Sequence, residues 1–294
     1  MSDAYPFKLS DTIHIAGDRY FHVYVIETDD GCILFETGVC ATAKKVIGQI
    51  ASLGIDPDRV KYIVVSHEHA DHATGLAYLT KAYRHAVVVS SPPTKERLSK
   101  ARVVESFFEE DVHFAGRYRD FGEEPYEALR YDAGVTLTVG NGDTICNKDI
   151  KVIATPGHTP GSLSLLVRRE GVLLVSDALG FCYADGSIFP LPFYDLRQYL
   201  QSIRLIESLS PERIGLGHVA YFKHNEVGRL LERVTEQTQD TLDYITQRLK
   251  DGSTEEEIRA GLMKPVYRDE MTIYKREVIE LSLDSVIKQV KKYG

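Results

Sequence analysis

The chain reads as an α/β protein, and three observations predict that class. Short apolar runs of β-branched residues recur between turn residues from Thr12 onward. Segments with apolar residues at helical spacing fall between those runs, and a plan of strands, a helix and a strand occurs in each half. Residues 225–294 are almost wholly helical in pattern. At 294 residues the chain holds one large domain or two small ones.

Taken in order, 12–16, 19–27 and 32–35 form an antiparallel opening, turned at Gly17-Asp18 and at Asp29-Asp30-Gly31. Residues 42–53 carry Val46, Ile47, Ile50 and Leu53 on one face and stop at Gly54, which marks a helix end. The run 62–65 is a buried strand, 72–83 a helix with Leu76, Leu79 and Tyr83 on one side, and 86–90 another strand. From Pro92 to about 132 the character changes. Pro92-Pro93-Thr94 opens a helix that continues past Leu98, with Val103, Val104, Phe107 and Phe108 as its apolar side. Phe114, Tyr118, Phe121, Tyr126 and Tyr131 make this insert densely aromatic, fit to pack on the core or to wall a pocket.

Strands resume at 135–139, 143–146 and 150–154, with Gly140-Asn141-Gly142 as a hairpin turn, and continue at 162–168 and 172–176. Asp195 is placed to cap a helix through Leu209, and 213–216 is the last strand. The tail gives a long helix ended by Asp251-Gly252 and a capping box at Ser253-Thr254-Glu255-Glu256. A short helix broken by Pro265 follows, then a last one with Ile279, Leu283, Val286 and Val290 in line. Helices this apolar pack on the sheet domain or on a second copy, as a homodimer.

The formal net charge of −8 argues against a sequence-independent nucleic-acid or membrane-surface binder, which would carry a basic face. No apolar stretch is long enough to span a bilayer, and the first ten residues lack the basic and apolar regions of a secretory signal. Cys32, Cys40, Cys146 and Cys182 show no C-x-x-C pairing, so reduced thiols and a cytoplasmic setting are expected.

The chemistry concentrates in His67-Glu68-His69-Ala70-Asp71-His72, directly after the strand at 62–65. Imidazole and carboxylate are the usual protein ligands of borderline metals such as zinc and iron. Further donors stand at later strand ends: His158 in Thr155-Pro156-Gly157-His158, Asp177 after the strand 172–176, and His218 after the strand 213–216. Any one alone is an ordinary strand-end residue. Together they form a set, each aimed from the same end of a predicted strand. No glycine-rich phosphate loop follows a strand, which leaves a dehydrogenase or nucleotide-binding reading without support.

On these residues, over roughly 12–222, the chain resembles the metallo-β-lactamase-fold hydrolase superfamily. His67, His69, Asp71 and His72 match its H-x-H-x-D-H motif, and His158, Asp177 and His218 match its remaining ligand positions in order. The resemblance implies an αβ/βα sandwich with two divalent metal ions at one edge. It assigns His67, His69 and His158 to the first metal and Asp71, His72 and His218 to the second, with Asp177 bridging. It implies a catalytic domain over 1–224, with a helical insert at about 92–132, and a C-terminal extension over 225–294 that packs over the active-site side.

Within the superfamily the likeness is greatest to the thioesterase of alkylquinolone signal biosynthesis, through the insert near Val103-Val104-Glu105, Asp177-Ala178-Leu179-Gly180 and the closing helices. It departs at Phe181 and Cys182, where that enzyme carries an acidic residue near the metals, so its substrate does not carry over. That likeness sets iron beside zinc, with manganese as a further alternative, since nitrogen and oxygen ligands do not choose among them.

The expected activity is cleavage of a thioester or ester of a small acyl substrate by a metal-bridging hydroxide, with Asp71 passing a proton to the leaving group. A lactonase or a glyoxalase-II-like hydrolase is the alternative, as is a regulatory protein of the same fold that acts through a partner. Phe107, Phe108, Phe181, Tyr183, Phe193 and Tyr194 are the candidates for the substrate pocket.

Overall fold

The computed structural model describes residues 4–120, 134–146 and 148–293. Phe121, Tyr126 and Tyr131 of the aromatic insert lie outside the described residues.

The first sheet holds β1 (Phe7–Lys8), β2 (Ile13–Gly17), β3 (His22–Thr28), β4 (Gly31–Phe35), β5 (Val60–Val64), β6 (Val87–Ser90) and β7 (Leu137–Thr138), side by side in chain order. Pairing is antiparallel through β4 and parallel from there on. Parallel neighbours need crossovers. Helix α1 (Cys40–Ser52) joins β4 to β5, and α2 (Ala70–Ala73) with α3 (Leu76–Ala82) joins β5 to β6. Between β6 and β7 lie α4 (Pro92–Leu98) and α5 (Ala101–Asp120).

The second sheet comprises β8 (Ile150–Ala154), β9 (Leu163–Val167) and β10 (Val172–Ser176), then, beyond a small hairpin of β11 (Phe181–Cys182) and β12 (Ile188–Phe189), β13 (Arg213–Leu216) and β14 (Tyr221–Lys223). Helix α6 (Leu196–Ser208) carries the chain to β13, which pairs parallel with β10.

Strand alternation builds the layers. In β3, Tyr24 and Ile26 face a core shared with the second sheet, whereas Val23 and Val25 face α1 and α3. In β10, Val172 and Leu174 enter that same shared core, whereas Leu173 and Val175 pack on α6. Both faces of the central strands are therefore buried, which is why those strands read as apolar runs. The order of layers is helix, sheet, sheet, helix: the expected αβ/βα sandwich. Helices α7 (Asn225–Lys250), α8 (Glu255–Val266) and α9 (Arg276–Tyr293) then close around a further core with Phe181, Tyr183, Phe189 and Leu196.

Several elements differ from the sequence reading. The helix expected over 72–83 is two, because the Gly75 N–H leaves the helical ladder to donate to the Gly38 carbonyl at 2.9 Å, a close approach that only glycine allows since a Cβ there would stand 2.1 Å from the Thr37 carbonyl oxygen. The insert helix breaks at Ser99 and Lys100 into α4 and α5. Of the strands expected at 135–139 and 143–146, the first keeps only Leu137–Thr138 and the second is a lone bridge between Thr144 and Lys151. The capping box is Thr254 with Glu257, one residue on from the expected Ser253–Glu256 register, and Pro265 sits in the last turn of α8 without ending it.

Candidate metal centre

Every expected ligand stands where a strand of the sandwich gives out. His67, His69, Asp71 and His72 follow β5, His158 follows β8, Asp177 follows β10 and His218 follows β13, all at one edge. The structure brings these seven side chains together as two adjoining groups.

In the first, His67 Nε2, His69 Nδ1 and His158 Nε2 form a triangle with sides of 3.1, 3.2 and 2.9 Å. In the second, His72 Nε2 lies 3.1 Å from His218 Nε2, and Asp71 Oδ2 lies 3.3 and 3.6 Å from those nitrogens. Asp177 stands between them. Its Oδ2 is 3.3 Å from His158 Nε2 and 3.5 Å from His72 Nε2, and its Oδ1 is 3.4 Å from His218 Nε2.

The outer nitrogens explain why the inner ones converge. His158 Nδ1–H donates to the Leu191 carbonyl at 3.0 Å, and His218 Nδ1–H donates to the Tyr20 carbonyl at 2.7 Å. His72 Nδ1–H donates to Glu36 Oε2 at 2.9 Å. His67 Nδ1 lies 3.0 Å from Ser66 Oγ, whose own hydroxyl donates to the same Glu36 oxygen at 2.8 Å. Such partners fix tautomer and ring orientation, leaving the inward nitrogen with a free lone pair.

A closed triangle of acceptor nitrogens is not satisfied by hydrogen bonds among its members. It suits a cation: four ligands at ~2.0 Å in a tetrahedron lie ~3.3 Å apart. Two further observations fit. Asp177 Oδ1 is buried without a hydrogen-bond partner among the described residues. Gly217 keeps the space beside it clear, since a Cβ there would stand 2.9 Å from His72 Cε1 and 3.0 Å from Asp177 Oδ1. The donor set is therefore chemically and sterically suited to divalent metal ions.

Electrostatics divides the imidazoles. Burial, followed by the neighbouring imidazoles, holds His67 well below its ordinary value. Burial likewise pushes His69 and His158 down to about 4, against the pull of Asp177. Burial acts on His72 too, but Glu36, Asp71 and Asp177 together outweigh it and the ring is raised well above its usual range. His218 is raised in the same way, chiefly by Asp177. Burial opposes ionisation of Asp71 and Asp177, yet the adjoining His72 and His218 keep both carboxyls below the usual carboxylate range. All three imidazoles of the first group are neutral at pH 7, the form in which imidazole binds metal.

A cavity of about 360 Å³ opens onto the two groups, with His69, Asp71, His158, Asp177 and His218 in its lining. Of the pocket candidates, Phe107, Phe181 and Phe193 line it. Phe108, Tyr183 and Tyr194 do not. Phe108 lies about a quarter-turn round α5 from Phe107. Tyr183 turns its hydroxyl to the Val266 carbonyl at 2.5 Å, and Tyr194 is 47 % exposed at the surface. Val278, Ile279, Leu281 and Leu283 of α9 form another wall. Among the lining are two charged side chains outside the ligand set: exposed Arg97 and half-buried Glu110. Burial and then the Asp71 charge push the Glu110 carboxyl up to about 7.

Sequence reasoning missed Glu36, although it ends β4 as Asp177 ends β10, and that shared position was the available signal. It also passed over Glu68, whose buried Oε2 accepts from Thr94 Oγ1 at 2.7 Å and Thr159 Oγ1 at 3.0 Å. Glu68 thereby ties the histidine loop to α4 and to the His158 loop. Tyr274, whose hydroxyl donates to Asp71 Oδ2 at 2.8 Å, had no local signal at all.

The chain is similar to several known proteins. The chain is 25% identical to the uncharacterized protein YobT of Bacillus subtilis over 209 residues, covering 68% of this chain and 83% of that one. It is 26% identical over 245 residues to the beta-lactamase-like protein 2 homolog of Caenorhabditis elegans, covering 83% of this chain and 64% of that one. N-acyl homoserine lactonase AttM of Azorhizobium caulinodans is 24% identical over 205 residues, with 66% of each chain covered. In fold, the metallo-beta-lactamase family protein TTHA1429 of Thermus thermophilus superposes with a TM-score of 0.66 at 19% identity, over 97% of this chain and 95% of that one. The sequence profile of the Metallo-beta-lactamase superfamily matches residues 16–218, from the second strand to the last histidine of the cluster. The chain belongs to the metallo-beta-lactamase superfamily.

Proposed function

We propose that this protein is a metal-dependent hydrolase that cleaves a thioester or ester of a small acyl substrate, using two divalent cations. One observation carries the reading: a largely apolar cavity has the two ligand groups in its floor, so an acyl chain seated there brings its carbonyl to the metal side. Divalent cations bound at these positions supply Lewis acidity and lower the pKa of water towards neutrality. His67, His69 and His158 would hold the first cation and Asp71, His72 and His218 the second, with Asp177 within reach of either group. Phe107, Phe181 and Phe193 exclude water and align the acyl group. Asp71 lines the cavity, which supports its assignment as the group that carries a proton towards the leaving group.

A second reading, cleavage of the cyclic ester of a lactone, is favoured by the likeness to proteins named N-acyl homoserine lactonase. A single panel separates the two: acyl thioesters, p-nitrophenyl esters, acyl homoserine lactones and S-lactoylglutathione, each offered to protein reconstituted with zinc, manganese or iron. Metal-dependent turnover of a thioester or open ester, lost at least 100-fold in Asp177→Asn, is the expected result. No turnover of any class with any metal sinks the hydrolase reading.

A further inference from the structure

Tyr274 lies between a 3-10 turn (Asp269–Ile273) and the first residue of α9, on a segment far from the ligands in sequence. Its hydroxyl donates to Asp71 Oδ2 at 2.8 Å across 203 residues. That oxygen also faces His72 Nε2 and His218 Nε2, at 3.3 and 3.6 Å. One lone pair of Asp71 Oδ2 is thus occupied by the phenol, and the other is left for the second ligand group.

The phenol is held rigidly. Its ring meets Phe114 edge-on at 5.5 Å, Phe21 at 6.3 Å and His218 at 6.4 Å. Its own carbonyl accepts from the Tyr267 hydroxyl at 3.1 Å. The preceding carbonyl, of Ile273, accepts from His113 Nε2–H on α5 at 3.0 Å. Ring and backbone are both fixed, so the hydroxyl points at Asp71 before any ion or substrate arrives. Carboxylate ligands are themselves hydrogen-bonded in working metal sites, and losing such a partner costs 10–100-fold in metal affinity or activity.

We propose that Tyr274 is a positioning residue for the second cation: it orients Asp71, and it makes occupancy of that position depend on docking of the C-terminal segment. This rests on the two-cation reading above. Among the described residues, the hydrogen bond and ring contacts of Tyr274 reach Asp71 and His218 of the second group and none of the three imidazoles of the first.

The test is made on the full chain, stripped with chelator and titrated with zinc against a chromophoric competitor, comparing wild type with Tyr274→Phe. The substitution keeps the ring and removes one oxygen, and a thermal unfolding scan of the metal-free variant within a degree or two of wild type establishes that the segment still docks. The expected result is one zinc bound with unchanged affinity and a second weakened 10–100-fold. Two zinc ions bound as in wild type, or both weakened equally, overturn the proposal. A wild type that binds only one zinc overturns the two-cation reading and this proposal together, which separates that failure from the loss of Tyr274's role alone. Substrate plays no part in the readout.

Discussion

The Glu36 carboxylate stands one step outside the ring of imidazoles and sets which nitrogen of His72 and, through Ser66, of His67 faces inward. A single oxygen accepts from His72 Nδ1 and from Ser66 Oγ, and Ser66 in turn meets His67, so one carboxylate orients a ring in each group. Its backbone sits in the left-handed region at φ 79°, as do Ser176 at 52° and Val219 at 55° beside Asp177 and His218. Non-glycine residues there cost ~1–3 kcal/mol each and persist only where the surroundings hold them. The three therefore mark where strand ends have been bent to aim side chains. Glu36→Gln removes the charge-assisted acceptor, and zinc titration should show a 10–100-fold loss of affinity. Unchanged affinity would mean that His72 is oriented by packing alone. Gly217→Ala drives a methyl group towards His72 and Asp177 and should weaken zinc binding in the same assay, with Gly215 out of reach of the ligands as no substitute explanation.

Among the elements, α6 and α9 share one anchor. The Asp195 side chain accepts from Gln198 N at 2.9 Å to cap α6, and it also receives the Tyr293 hydroxyl and, at 3.5 Å, Lys292 Nζ from the end of α9. Asp195→Ala should cost about 1–2 kcal/mol, most of it the cap, read as a lower denaturation midpoint with an unchanged m-value. The cap was legible because an Asp before an apolar, helix-spaced run is a local signal. So were β3, β5, β8, β9 and β10, whose residues are buried on both faces. Elements of two or three residues, such as β1, β7, β14 and the β11–β12 hairpin, carry no period to read. The break at Gly75 was hidden for another reason: its cause is the Gly38 carbonyl that takes the Gly75 N–H, which the sequence does not place beside it. In the site itself, the gathering of seven strand-end donors was legible as a pattern. The Tyr274 contact with Asp71 was not, because it exists only once the segment before α9 is packed against the sandwich.

For the molecule as a whole, the metal-free protein should be acid-labile. Burial holds His22 down to about 3, His69 and His158 down to about 4, and His67 well below its ordinary value. The unfolded chain protonates these rings at ~6.5, so it binds more protons than the folded one between there and about 4. Stability from these four groups is present above ~6.5 and is lost as pH falls through that window. Glu110, raised to about 7, works in the opposite sense as one group against four. Above ~6.5 the sign reverses for His72 and His218, whose raised values give stability that is lost as pH climbs through them. The urea midpoint of chelated protein should therefore peak near neutrality and drop on acidification to pH 4; a flat profile would contradict the burial of these rings. The position of Tyr274 has one more consequence, in time. All seven ligand side chains precede residue 219, so on the ribosome the imidazole cluster is made before its cover exists. Once α9 docks, its Val278, Ile279 and Leu281 line the cavity onto which the cluster opens. A zinc ion taken up before that docking should therefore pass only slowly to a chelator afterwards, with stopped-flow transfer as the measurement.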